Sequence, residues 1–300
     1  MRKPYCKGKL LCVAGEYLLS YRRGVLLLSK KKAPNCIISK LRIGSFLSRF
    51  ELLSRFLRLE PRCAAPIDDR RILISHNGRI LVYDIHINEI SIDHVYERGM
   101  KNPLSFCIVE EQAGNIIYYG EYIHNTECGP VAVYKREKEK WEKVFEFPAN
   151  TVTHIHGVVH DKYRNQFIIL TGDSDSESGI WIADKSFKTV VPILTGKQQY
   201  RACVAFPRHD GLIYATDTPL ETNALYYLKY DIADGNKLKK LCDIPGSCIY
   251  GTRINGNEYI STTVEPDSSL AGWKYRLTYR LGKGIKDRYS YIFMITDVEP

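Results

Sequence analysis

Four apolar, strand-like segments each run into an acidic residue: Ile117-Tyr118-Tyr119-Gly120 into Glu121, Ile169-Leu170-Thr171-Gly172 into Asp173, Tyr214-Ala215-Thr216 into Asp217, and Ser261-Thr262-Thr263-Val264 into Glu265. The acids recur every roughly 44–52 residues, close to the ~40–50 residues of one four-stranded propeller blade. A repeat of that length restricts the chain to an array of similar supersecondary units. It also predicts that acids from several units meet at one mouth.

Around Asp173 the unit can be laid out strand by strand: His156-Gly157-Val158-Val159, Phe167-Ile168-Ile169-Leu170, Gly179-Ile180-Trp181-Ile182 and Val190-Val191-Pro192-Ile193-Leu194, with turn formers such as Asp161-Lys162-Tyr163-Arg164-Asn165 between them. Short runs rich in β-branched and aromatic residues, bounded by Gly, Asn and Asp, read as strands. The layout recurs from Ser105 to Phe147 and from Arg201 to Asp243. Upstream, Tyr17-Leu18-Leu19-Ser20, Gly24 to Leu28 and Cys36-Ile37-Ile38 read as three strands, and Ile72 to Ser75 and Ile80 to Tyr83 flank His76-Asn77-Gly78, whose Asn-Gly step favours a two-residue hairpin turn. The expectation is an all-β propeller, one domain over residues 1–300, with six four-stranded blades near 1–40, 65–97, 104–147, 153–194, 200–243 and 248–300. The last blade is short of strands, so either an N-terminal strand closes the ring or a strand is missing.

One helical insertion is expected over 41–59. There Ile43, Phe46, Leu47, Phe50, Leu53 and Leu57 share a face, Glu51, Arg55 and Arg58 lie opposite, and Pro61 follows. Charge is uneven: residues 1–71 hold 17 Lys/Arg and 5 Asp/Glu, a formal +12 within a whole-chain +9, which leaves −3 for the rest. A basic first third suits either a solvated face or peripheral contact with an anionic membrane surface or partner. No RNA-binding or recognition-helix signature occurs, and no nucleic-acid partner is expected.

The nine cysteines form no Cys-x-x-Cys pair and no disulfide framework, charges interrupt any signal-peptide core, and no apolar run approaches 18 residues. Reduced thiols in a cytoplasmic protein are the simplest account, with membrane association through the basic region as an alternative to a solvated face.

In a blade whose strands run outward, the start of the first strand and the loop after the second lie on one face of the disc. Residues at those places in successive blades therefore converge. Glu121, Asp173, Asp217 and Glu265 follow second strands; His154 and His156 open one blade, Tyr200 and Arg201 the next. His154 and His156, two apart on a strand, point to one side and can act together, shuttling protons or holding a divalent metal. Paired carboxylates can serve as general acid and as base or nucleophile on a glycosidic bond. Arg201 can clamp a carboxylate or sulfate of an acidic sugar, or simply bridge neighbouring blades through one of the same acids. Tyr122, Tyr200 and Trp181 offer flat faces to sugar rings. Each acid can equally be a turn former, and the histidines a structural pair.

Asp173-Ser174-Asp175-Ser176-Glu177 alternates acids like the opening of a calcium loop, but Ser178 replaces the sharp-turn glycine and no later glutamate fits; Glu177 is read as a second carboxylate of the mouth. No Gly-x-Ser-x-Gly elbow, Walker loop, dinucleotide-binding fingerprint or His-Glu-x-x-His occurs, which disfavours esterase, nucleotide-driven and hydride-transfer chemistry.

Gly120-Glu121-Tyr122, Trp141-Glu142-Lys143-Val144, His154-Ile155-His156-Gly157, Thr171-Gly172-Asp173, Glu177-Ser178-Gly179-Ile180, Gln199-Tyr200-Arg201, Thr216-Asp217-Thr218 and Glu221-Thr222-Asn223 together resemble uncharacterised prokaryotic propellers similar to Asp-box, sialidase-like proteins and associated with surface-polysaccharide and glycosyltransferase gene clusters. The resemblance spans about residues 65–290 and implies a propeller in a carbohydrate setting. The Asp-box itself survives only as Tyr134 to Trp141, with its Asp and Gly replaced, and three arginines for a sialic-acid carboxylate are not assignable, which argues against sialidase activity.

Two functions follow as expectations. The first is a glycosidase or polysaccharide lyase acting on an acidic or amino-sugar-containing surface polysaccharide. Glu121, His154, His156, Asp173 and Glu177 would be catalytic, and Tyr122, Tyr200, Arg201, Asp217, Glu221, Asn223 and Glu265 would contact substrate; no obligatory cofactor is assigned, a divalent metal at His154 and His156 being the one candidate. The second is a non-catalytic propeller that holds a glycan or a glycan-processing enzyme near the membrane.

Overall fold

A computed structural model describes residues 5–112, 114–230, 235–267, 269–270, 274 and 278–296. The fold is an all-β propeller of six antiparallel blades, five of four strands and the last of three among the described residues. The strands fall in two compact units, residues 1–124 with 132–144, and 125–131 with 145–300.

In the first unit, blade 1 comprises β1 (Lys9–Ala14), β2 (Tyr17–Arg22), β3 (Val25–Lys30) and β4 (Ala33–Arg42), and blade 2 comprises β5 (Ala64–Pro66), β6 (Arg71–His76), β7 (Arg79–Asp84) and β8 (Glu89–Val95). Blade 3 comprises β9 (Cys107–Val109), β10 (Ile116–Gly120), β11 (Val131–Glu137) and β12 (Lys140–Phe147). In the second unit, blade 4 has β13 (Ile155–Asp161), β14 (Gln166–Thr171), β15 (Gly179–Asp184) and β16 (Val190–Thr195). Blade 5 has β17 (Ala202–Arg208), β18 (Gly211–Thr216), β19 (Ala224–Lys229) and β20 (Lys237–Asp243), and blade 6 has β21 (Ser247–Ile254), β22 (Asn257–Thr263) and β23 (Ile292–Ile295). The blade limits match the expected ones within a few residues. Blade 1 has one strand more than expected: β1 mixes Lys9 and Leu10 with Cys12 and Ala14, a pattern too short and polar to stand out.

Inner strands are apolar on both faces where a blade packs between two others of its own unit, as blade 5 does between blades 4 and 6 and blade 2 between blades 1 and 3. In β18 all six residues are buried. Side chains alternate across a strand, so Leu212 and Tyr214 join Ile168, Leu170 and Ile180 in one core layer. Ile213 and Ala215 join Phe206, Leu225 and Ile260 in the next. Blade 2 repeats this, with Ile72 and Ile74 on one side of β6 and Leu73 on the other. Outer strands such as Lys237–Asp243 carry lysines and alternate exposed with half-buried residues, which blunts the open edge. The β6–β7 hairpin turns on Asn77 and Gly78, both at positive φ, as the Asn-Gly step predicts.

The insertion differs from expectation. β4 continues to Arg42, a 3-10 turn covers Phe46–Arg49, and only Glu51–Phe56 is α-helical (α1). Its face is inverted: Ser48 and Ser54 are buried, while Phe46, Leu47, Phe50, Leu52, Phe56 and Leu57 are exposed. The cause is the close approach of Gly24 and Gly44, where a Cβ on Gly44 would meet the Gly24 Cα at 2.6 Å and the Ser48 side chain at 2.8 Å. Only small side chains fit inward there. No helix among the described residues is long and apolar enough to cross a membrane.

Candidate functional site

The start of β13 and the start of β17 are built alike. Each has a register shift in its pairing with the second strand, between Ile155 and Gly157 and between Ala202 and Val204. A bulge re-aims the extra residue, here His156 in blade 4 and Cys203 in blade 5. The residues two positions earlier, His154 and Arg201, lie at the corresponding mouths of their strands.

Asp173, which follows β14, gathers these groups. Its Oδ2 lies 3.3 Å from His154 Nε2, its Oδ1 3.3 Å from His156 Nε2, and Arg201 donates to Oδ1 at 2.7 Å. The two imidazole Nε2 atoms are 3.1 Å apart. Arg201 and Gln198 also donate to the Asp173 main-chain oxygen, at 3.0 and 2.8 Å, which fixes the loop. The His154 and His156 rings are buried while the Asp173 side chain is 47% exposed, so the cluster opens to solvent on the carboxylate side. Gly172 makes the packing feasible: a Cβ there would press on the Arg201 stem at 3.1 Å and the His156 ring at 3.2 Å.

Burial alone would raise the Asp173 carboxyl, but its contacts with both imidazoles and the Arg201 charge outweigh it and hold the group below the ordinary carboxylate range. Asp173 is therefore a fixed anion, not a proton donor.

Blades 5 and 6 repeat the motif with other chemistry. Asp217 is buried; its Oδ2 accepts from the Cys203 thiol at 3.0 Å, and its Oδ1 is buried without a hydrogen-bond partner. Burial, then the Asp217 carboxylate, push the Cys203 thiol well above its usual value. Glu265 accepts from Ser247 at 2.9 Å, and burial followed by the nearby Asp217 charge raises its carboxyl.

The second unit thus brings together His154, His156, Asp173, Arg201, Asp217 and Glu265, with Glu177 joined through Thr153, whose hydroxyl donates to Glu177 Oε2 at 2.9 Å. Arg201 takes the bridging role between blades, both of its terminal nitrogens going to Asp173. Asn223 is fully buried and spent on loop main chain: its Oδ1 accepts from Thr216 and Thr218, and its Nδ2 donates to Thr218 and Gly284. It holds the loop rather than facing a ligand. Glu221 is exposed, and Tyr200 is half-buried at the end of a 3-10 turn. The Trp181 indole donates to Thr171 and packs on Phe147, a structural use. Glu121 and Tyr122 belong to the first unit. There Glu121 is buried, accepts from the Ala132 amide at 2.8 Å and pairs with Arg98, and the Tyr122 ring lies under Arg62.

Cys203 was absent from the expected set. Its signal is positional: it stands in blade 5 where His156 stands in blade 4, visible only when the two strand starts are aligned.

No family model matches the sequence, and no curated protein matches it. Solved structures do match in fold. An oligogalacturonate lyase from Vibrio parahaemolyticus superposes with a TM-score of 0.53 at 10% identity, over 90% of this chain and 75% of that one. A calcium-binding protein, regucalcin, from Agrobacterium tumefaciens gives 0.54 at 10%, over 88% and 85%. The N-terminal domain of Nup159 gives 0.54 at 9%, over 87% and 73%. At such identities the likeness establishes the propeller alone.

Proposed function

We propose that this protein is a carbohydrate-active propeller that processes an acidic or amino-sugar-containing surface polysaccharide at the His154–His156–Asp173–Arg201 cluster. The observation that carries this is the meeting of two imidazole Nε2 atoms and a solvent-open, permanently ionised carboxylate within 3.3 Å. Ionisable groups of both signs held this close at an opening exceed what a passive platform requires. An oligogalacturonate lyase among the structural neighbours supports the same direction.

Of the two reaction types, the geometry favours elimination. A glycosidase needs one carboxyl group able to give a proton beside the reacting bond, and at the solvent-open cluster Asp173 is fixed as an anion, while the raised carboxyl, Glu265, is half-buried against Ser247 and Asp217. Elimination needs positive charge to neutralise the sugar carboxylate and a base for the adjacent carbon. Arg201, whose guanidinium is shared with the half-exposed Asp173, is the cation nearest the opening, and Glu177, half-buried and oriented by Thr153, is the base. Glu177 takes the proton, the electron pair forms a carbon–carbon double bond, and the glycosidic carbon–oxygen bond on the next carbon breaks, its oxygen taking a proton from water.

The test is incubation of the wild type, Asp173→Asn, His156→Ala and Glu177→Gln with a panel of acidic polysaccharides. Unsaturated, ultraviolet-absorbing sugar ends are expected from the wild type and at least tenfold less from each variant. Saturated reducing ends would indicate hydrolysis. Equal product from all four proteins would remove the assignment, and binding without product would favour a glycan-binding module.

The scaffold reading is favoured by the inverted insertion. Six large apolar side chains between Phe46 and Leu57 face solvent, among them Leu52 at 84% exposure, and Arg49, Arg55 and Arg58 accompany them. Apolar side chains bordered by arginines complement an anionic lipid surface, where such a segment inserts its apolar face among the headgroups. Co-sedimentation with phosphatidylcholine vesicles, with and without phosphatidylserine, should show binding that needs the anionic lipid and falls at least fivefold in Leu52→Ser/Phe56→Ser. Binding unchanged in that variant, or concentration-dependent dimerisation in place of vesicle binding, would exclude it.

A further inference from the structure

The tautomers of the two site histidines are set by their outer neighbours. His156 Nδ1 lies 3.1 Å from the Ala202 carbonyl oxygen, an acceptor only, so Nδ1 carries the hydrogen. His154 Nδ1 lies 3.3 Å from Thr153 Oγ1, and that hydroxyl has already committed its hydrogen to Glu177 Oε2, so it accepts and His154 Nδ1 also donates. In the neutral rings both Nε2 atoms therefore present lone pairs. They present them to each other at 3.1 Å and to the Asp173 carboxylate at 3.3 Å. Two lone pairs and a carboxylate aimed at one point repel unless a positive charge lies among them.

From this we infer that His154 Nε2, His156 Nε2 and the Asp173 carboxylate form a site for one first-row divalent transition-metal ion. The inference rests on the cluster used for the proposed function and names the cation that would supply its charge. Three observations favour an ion over a shared proton. The spacing is that of ligands around one metal: with bonds of ~2.0–2.1 Å, neighbours lie ~2.9 Å apart in octahedral and ~3.4 Å in tetrahedral geometry. Each ligand also has an outer support, Ala202 for His156, Thr153 and Glu177 for His154, and Arg201 for Asp173, the arrangement that orients imidazole and carboxylate ligands. Finally, the carboxylate side is open, so an ion has a route in and keeps positions for a sugar carboxylate.

Two imidazoles and one carboxylate select zinc, manganese, iron, cobalt or nickel over calcium and magnesium, which prefer oxygen alone. The adjacent group of His156, Cys203 and Asp217 also lies within ligand range, but its thiol hydrogen is engaged with Asp217, which leaves the first group as the ready site.

The test uses the full chain, stripped with a chelator and titrated calorimetrically with ZnCl2 and separately with MnCl2, with no sugar present. One saturable equivalent is expected for at least one of them, with no saturable heat from MgCl2 or CaCl2. His154→Ala and His156→Ala should each weaken binding more than tenfold, and Thr153→Val by ~10-fold through the lost support. Folding of each variant is checked by near-ultraviolet circular dichroism. Nitrogen NMR of the wild type needs no variant: zinc must move both Nε2 resonances and leave both Nδ1 atoms protonated. Absence of saturable binding, or binding indifferent to both histidine variants with unmoved Nε2 resonances, overturns the inference in favour of a shared proton. Metal binding is read without substrate, so its failure and failure of the sugar chemistry are scored separately.

Discussion

Replacing Arg201 by methionine tests the electrostatics of the site directly, because the stem that packs over Gly172 is kept and only the guanidinium is lost. Arg201 makes two bonds to Asp173, 2.7 Å to Oδ1 and 3.0 Å to the main-chain oxygen, with its own side chain 12% exposed. Charge-assisted bonds of this kind contribute about 1.5–3 kcal/mol each when both partners are buried. Three features reduce the sum. Asp173 is half exposed, so water takes over part of Oδ1; Gln198 still bonds the main-chain oxygen; and the buried Arg201 Nε, which has no hydrogen-bond partner, is removed along with its cost. The expected net loss is about 1–2 kcal/mol at pH 7.

The pH dependence carries the diagnostic sign. Asp173 titrates far below its unfolded value of about 3.9, so the stability it confers is fully present above that pH and is lost as pH falls below it. Without Arg201 the depression is smaller, but the two histidines still hold the carboxyl low, so both proteins lose stability alike as the pH falls from 7 to 3 and the gap between them closes only when the pH passes through the variant's own folded-state value. Urea unfolding at pH 7 and pH 3 should therefore show both proteins weakened at the lower pH with the gap kept. A difference under about 0.5 kcal/mol at pH 7 would refute the assignment of Arg201 as a charge that fixes Asp173.

Glu265 runs the opposite way. Its folded-state carboxyl is raised by burial and Asp217, so its contribution is favourable below the unfolded value of about 4.3 and is lost as pH rises through the folded value. Glu265→Gln should raise the melting temperature at pH 8 and leave it nearly unchanged at pH 4, by thermal scanning. Leu212→Ala, at a fully buried position between blades 4 and 5, should cost about 2–5 kcal/mol in urea. The β11–β12 hairpin turns on Lys138 and Glu139, both at positive φ, so Lys138→Asn should gain a few tenths to about 1 kcal/mol. In an alkylation time course at pH 8 read by peptide mass spectrometry, the exposed Cys36 and Cys242 should react at once and the half-buried Cys203 far more slowly, since desolvation and Asp217 hold its proton.

The blades were legible because their inner strands are buried on both faces, which forces uninterrupted apolar runs such as Leu212 to Ala215 and places turn formers between them. β1 was not, because a strand mixing Lys9 and Leu10 with buried Cys12 and Ala14 lacks that run. The insertion was misread for a different reason. Helical periodicity in 43–57 identifies an amphipathic segment but not which face turns inward, and the close approach of Gly24 and Gly44 reverses it. Asn223 and Trp181 carry ligand-binding chemistry in their side chains, yet both are consumed by bonds to their own blades.

At the site, the acids after the second strands were visible from their spacing, but their partners obey a rule that no local window contains. In each blade of the second unit the acid is bound by a group at the start of the first strand of its own blade: Asp173 by His154 and His156, Asp217 by Cys203, Glu265 by Ser247. The bulge position thus carries imidazole in blade 4 and thiol in blade 5, while in blade 6 the hydroxyl of Ser247 stands two residues before the bulge, where His154 and Arg201 stand in theirs. Only blade 4 adds a cation from the next blade, Arg201, and only there does the carboxylate stay half open to solvent with its charge secured. Asp217 is buried, with one oxygen lacking a hydrogen-bond partner, and Glu265 is pushed toward its neutral form. Three acids that follow second strands therefore hold three electrostatic states, and the difference lies in the partners each one meets.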